Sequence, residues 1–131
     1  GPQAADHADA RIRRFHVVSE TPMAPATLEL FLDALERAAG PRLLRVKGLI
    51  HVAGHPERPA MVHGAQQLIH RLAWRDGWPG DDRRTRIVLL TMDMPDEEIL
   101  GLLAAAQRLA GAVPAARSPS ARAAAGSADH A

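Results

Sequence analysis

The chain has 131 residues, sixteen basic against fifteen acidic for a net charge of +1, and no cysteine. That length makes one domain large enough for a real core, while near-neutral charge supplies no broad field for nucleic acid or anionic lipid. The missing thiols exclude disulfides, cysteine-based zinc sites and cysteine nucleophiles.

Residues 1–10, "GPQAADHADA", are small and polar and read as a leader or linker. The opening Gly1-Pro2-Gln3 resembles a protease-cleavage scar, which implies a cut from something longer. No signal-peptide core follows, and no apolar run approaches the ~20 residues of a membrane span. A cytoplasmic protein is therefore expected.

"RIRRFHVVS" (11–19) is rich in β-branched and large apolar residues and predicts a strand. "APATLELFLDALERAAGP" then sets Leu28, Phe31, Leu32, Leu35, Ala38 and Ala39 in one stripe of 3.6-residue period, a helix. Pro25 suits its first turn, Gly40-Pro41 is a stop signal, and Asp33 and Arg37 can pair one turn apart on the wet side. Two further strands are predicted in "RLLRVKGLIHVAG" (42–54) and "PAMVHGAQQLI" (59–69), joined by "HPER", which is short enough for a hairpin. After the turn-rich "RDGWPGDDRR" comes a fourth strand, "TRIVLLTMD" (85–93).

"MPDEEILGLLAAAQRLAG" predicts the second helix, opened by Pro95 and ended by Gly111. Asp96, Glu97 and Glu98 complement its positive N-terminal end, and Ile99, Leu102, Leu103, Ala106 and Leu109 form its stripe. Each large apolar side chain of the two helices stabilises by about 1.5–3 kcal/mol once buried, so both helices must lie on a sheet. The tail "PAARSPSARAAAGSADHA" (114–131) has no large apolar side chain and is expected to be disordered. The expected organisation is therefore a leader at 1–10, a folded domain at 11–110 and a tail at 111–131. The fold class is α+β: an antiparallel four-stranded sheet in β-α-β-β-β-α order, two helices on one face, the other open or docked on a partner.

Within "LLRVKGLIHVAG" (43–54), strand alternation sends Leu44, Val46, Gly48, Ile50 and Val52 one way. Leu43, Arg45, Lys47 (the only lysine), Leu49 and His51 go the other. The cations then lie away from the helices, and Gly48 admits a helix or neighbouring strand at close range.

Several stretches together resemble the C-terminal domain of the CobW-type P-loop GTPases, a group that includes cobalamin-biosynthesis proteins and zinc-linked metallochaperones. They are "TLELFLDAL", "GPRLLRVKGLIHVAGHPERPAMVHGAQQLIH", "WPGDDRRTRIVLLTMDMP" and "EEILGLL", covering about residues 11–107. Gln66-Gln67, Ile69-His70 and the Ala-rich tail depart from the pattern. The resemblance implies an accessory or interaction domain of a GTP-dependent metallochaperone, in cobalamin biosynthesis or zinc or cobalt homeostasis. Its implied partners are an N-terminal GTPase domain and a metal-acceptor protein. GTP, magnesium and zinc or cobalt would belong to the GTPase domain, and no cofactor to this chain. The GxxxxGK[ST] phosphate loop is absent, since Lys47 has no glycine-rich loop before it. The family's cysteine metal motif is absent too. No nucleophile, base and acid stand together, so catalysis is not expected.

Arg45 and Lys47 are the candidate interface residues; the plainer reading is a solvated face, or pairing with acids such as Glu57 or Asp93. His51 and His63 are the candidate metal ligands. "HVAGH" cannot hold one ion on a strand, where His51 and His55 would stand ~13 Å apart, but 51 opposite 63 across a hairpin would bring two rings together. A register one residue off puts them on opposite faces, and ordinary strand-filling histidines are the alternative. Trp74 and Trp78 are expected to cap the core edge, and "DDRRTR" to form a solvated turn. A histidine-based metal or small-ligand module is the competing class. Nucleic-acid binding is not expected, because base-stacking sheets need aromatics and these strands offer only Phe15.

Overall fold

The computed structural model describes residues 11–65 and 68–112. The elements are β1 (Ile12–Ser19), α1 (Pro25–Ala39), β2 (Leu43–Ile50), β3 (Ala60–Ala65), β4 (Leu68–Trp74), β5 (Thr85–Met92) and α2 (Asp96–Ala112), with one 3-10 turn at Gly40–Arg42. All neighbouring strands are antiparallel, in the order β1-β5-β2-β3-β4. The sheet thus has five strands, not four. The predicted strand 59–69 is really β3 plus the first residues of β4, with Ala65 paired to Leu68 across a two-residue connection. Such connections usually carry Gly or Asn, and Gln66-Gln67 gives no such signal.

One face of the sheet carries the core. Leu28, Phe31, Leu32 and Leu35 of α1 are fully buried with Val46, Ile50, Val62, Ile87, Leu89 and Ile99. Ala38 faces solvent. In α2 the buried stripe runs Ile99, Ala106, Ala110, while Leu109 is 58% exposed. Leu109 lies three residues beyond Ala106 but on the outer side, so Ala110, four beyond, takes the core position. The described helix runs through Gly111 to Ala112. The leader (1–10) and all of the tail beyond Ala112 lie outside the described residues.

Alternation along β2 fails at one place. Leu43 pairs with Thr91 and Arg45 with Leu90, so Leu44 is an extra residue, a bulge that returns Leu43 to the core. Beyond the bulge the alternation holds: Val46 and Ile50 are buried, and Arg45 and Lys47 are exposed on the far face.

Ion pairs fasten the end of the sheet where the helices meet. The Arg42 guanidinium donates to Glu98 (Nη1 to Oε1, 3.0 Å) and to the Ala38 carbonyl at 2.9 Å, tying the end of α1 to the start of α2. Arg11 forks onto Asp93, and Arg13 reaches Asp96 at 3.2 Å. Hydrogen bonding from Arg42 holds the Glu98 carboxyl below its ordinary range, outweighing partial desolvation, and Arg11 does the same for Asp93. A carboxyl depressed on folding stabilises above its unfolded pKa, about 4.3 for glutamate, and loses that contribution as pH falls through the folded value. Glu98→Gln is therefore expected to lower stability by about 1 kcal/mol at pH 7. In urea titrations that deficit closes as pH drops below about 4; a deficit unchanged at acid pH would reject the ionic origin.

Candidate functional site

Among the described residues, nothing covers the sheet face away from the helices. Strand register places Arg14, Leu90 and Arg45 in one cross-strand row, His16, Val88, Lys47, His63 and His70 in the next, and Val18, Arg86, Leu49 and Met61 in the third. No acidic residue occupies any of these strand positions. Val88, Leu90, Leu49 and Met61 are half-buried, whereas Arg14, Arg45, Lys47, His63 and Arg86 are exposed. Three arginines and Lys47 thus rise around an apolar floor. Neither suggested acid neutralises the interface pair: Asp93 is engaged by Arg11, and among the described residues Arg45 and Lys47 form no ion pair.

Two shallow depressions lie on this face and meet at Lys47 and Met61. One, of about 680 Å³, runs past Arg45, His63 and Ala65. The other, of about 600 Å³, lies between β2, β3 and β5 and the 75–84 loop. Lys47 and Met61 line both, and the second is a trough walled by the 75–84 loop.

Hydrogen bonds hold the loop that walls this trough. The Trp78 indole N–H and an Arg83 guanidinium N–H both donate to the Pro56 carbonyl at 3.1 Å. His51 Nδ1 lies 3.0 Å from the Arg83 carbonyl; a carbonyl only accepts, so Nδ1 carries the proton. Trp78 meets the His51 ring edge-on at 5.6 Å between centroids. At the base of β5, Asp82 accepts from the Arg84 side chain and backbone N–H and from Arg86, which together hold its carboxyl far below the ordinary aspartate range. "DDRRTR" is thus an ordered, ion-paired turn. The tryptophans pin loops rather than cap the core: Trp74, 38% exposed, packs its ring against His55 at 4.6 Å and under Arg58 at 5.5 Å.

The candidate metal ligands are not brought together. His63 pairs with Lys47, and Ile50 with Ala60, so His51 and His63 stand four residues out of step, about 13 Å along the strands. The register instead sets His63 opposite His70 on β4. The sequence reading missed that juxtaposition because it carried one strand straight through the link at 66–67. Among the described residues no group of three or more His, Asp or Glu could hold a metal ion.

A five-stranded antiparallel sheet, helices on one face and a cation-bearing trough on the other, defines a small α+β domain that presents a surface rather than an enclosed cleft. The chain belongs to the CobW C-terminal domain family: the family model for the cobalamin synthesis protein cobW C-terminal domain matches residues 12–107. Two solved structures share the fold. Zn(II)-bound YjiA GTPase from E. coli superposes with a TM-score of 0.65 at 24% identity, covering 75% of this chain and 31% of that one. A Zn(II)-bound triple mutant of YjiA GTPase gives 0.64 at 23% identity, covering 72% and 29%. The chain therefore spans less than a third of the length of those structures. Comparison with curated proteins finds no match. Among the described residues no helix is long and apolar enough to cross a membrane.

Proposed function

We propose that this domain is the C-terminal accessory module of a CobW-like, GTP-dependent metallochaperone of cobalamin biosynthesis or zinc or cobalt homeostasis. It contacts the GTPase domain or the metal-acceptor protein through the open sheet face, with Arg45 and Lys47 as interface cations. Nucleotide, magnesium and the transferred metal belong to the GTPase domain, and this domain acts by binding, in the cytoplasm. The observation that carries the reading is the uncovered face itself. Half-buried Val88, Leu90, Leu49 and Met61 lie there among cations, with no strand carboxylate to neutralise them. An apolar floor with a charged surround is the anatomy of a protein contact. Family membership and the fold shared with YjiA GTPase support it.

The test is sedimentation velocity of the domain mixed with the cognate GTPase domain, with and without GTP. A salt-sensitive complex is expected at micromolar protein, about −8 kcal/mol. No association at any salt or nucleotide state would overturn GTPase-domain docking. For the competing module with a histidine-held metal, the pair His51 and His63 stands about 13 Å apart along the strands.

A further inference from the structure

We infer that the trough between the 75–84 loop and strands β2, β3 and β5 takes an acidic peptide segment with an apolar anchor, contributed by a protein partner. The inference rests on the docking reading above and names the chemistry of what docks. The floor, Leu49, Met61 and Val88, is half-buried and apolar. Around it stand Lys47, Arg75, Arg84 and Arg86 against Asp81 and Asp82, four cations to two carboxylates. Asp82 is committed to Arg84 and Arg86, while Lys47 and Arg75 have no carboxylate partner among the described residues. Asp81 is likewise without an ion-pair partner among the described residues, so four cations against two carboxylates leave a net formal charge of +2 beside apolar surface.

The form of the site points to a peptide rather than a phosphate. In this trough of about 600 Å³, Lys47 sits on β2, Arg86 on β5, and Arg75 and Arg84 at opposite ends of the 75–84 loop, and Asp82 already holds Arg84 and Arg86. Its floor offers carbon rather than the backbone N–H groups that phosphate sites use. That volume suits a few side chains. The wall is also built in advance, because Trp78 and Arg83 both bond the Pro56 carbonyl. A preformed wall lowers the ordering entropy that binding must offset.

The probe is the capped hexapeptide acetyl-Glu-Asp-Leu-Phe-Asp-Glu-amide, titrated into the domain and followed by tryptophan fluorescence and methyl NMR. Saturable binding with Kd below about 1 mM is expected, with shifts at Leu49, Met61 and Val88 that leave α1 and α2 unmoved. Val88→Glu is expected to weaken it at least about tenfold while the remaining methyl spectrum stays folded. The same peptide with lysine at its four acidic positions is expected not to bind. Equal binding of both peptides, shifts confined to the helical face, or no saturation would overturn the site. If the peptide fails while the GTPase domain still binds, this inference falls and the docking reading stands. If the peptide binds and the GTPase domain neither binds nor competes, docking to that domain falls and the site stands.

Discussion

Replacing Gly48 with alanine is expected to destabilise the domain by about 3 kcal/mol, near the upper end for overpacking a tight core. Gly48 faces Ile87 across the two central strands. A Cβ there would lie 2.4 Å from the Arg86 carbonyl oxygen, 2.6 Å from Ile87 Cα and 3.0 Å from Ile87 Cγ1. The first two are backbone atoms, so no side-chain rotation relieves the contact, and β5 must move away from β2. The strand gain of alanine over glycine, about 0.5–1 kcal/mol, is smaller than the clash. Thermal unfolding should shift down by more than about 10 °C for a domain of this size. Gly101 supplies the control, since nothing lies within 4 Å of a Cβ built on that exposed helical position. Gly101→Ala is expected to stabilise by up to about 1 kcal/mol. Equal melting of Gly48→Ala and the native chain would show that the sheet relaxes without strain.

Reversing both proposed interface cations, Arg45→Glu with Lys47→Glu, is expected under the proposed docking to weaken association with the cognate GTPase domain by about 100-fold, close to 2.7 kcal/mol. Each reversal replaces attraction with repulsion against an acidic partner, and such contacts act on encounter rate as well as on lifetime. The fold should be indifferent, because both side chains are exposed and neither forms an ion pair among the described residues. Arg37→Glu on α1 is the matched control: it alters charge on the helical side, where Arg37 pairs with Asp33 at 3.2 Å, and should leave association unchanged. Calorimetric titration at low and high salt reads all three proteins. An affinity unaltered by the double reversal would remove Arg45 and Lys47 from the interface.

Much of this was readable from residue order, for physical reasons that differ by element. The helices declared themselves because a stripe such as Leu28, Phe31, Leu32, Leu35 fits only a 3.6-residue period, and Gly40 ends α1 with a left-handed φ of 52°. The close approach at Gly48 was legible because a glycine inside a strand implies a neighbour pressed against it. β4 was not legible: its link to β3 lacks turn residues, and the polar His70-Arg71 falls within it. The bulge at Leu44 was hidden because an extra residue in one strand shows only against its partner's register. The same dependence on register hid His63 opposite His70 and separated His51 from His63. The cationic face was visible as two charges in an apolar strand. Its extent was not, because Arg14 and Arg86 come from two other strands and the trough wall comes from a loop.

The position of β5 has a consequence for how the domain is made. It is the last strand among the described residues, yet it lies between β1 and β2. A polypeptide emerging from its N-terminus therefore holds β1 on one side and the β2–β3–β4 meander on the other, with no ladder joining them until Thr85–Met92 arrives. Arg11 must wait 82 residues for Asp93, and pairings so distant in sequence form slowly. β5 is in effect a keystone: a chain ending before Thr85 has a lone β1, a separate β2–β3–β4 meander, an unsupported Gly48 and no assembled open face.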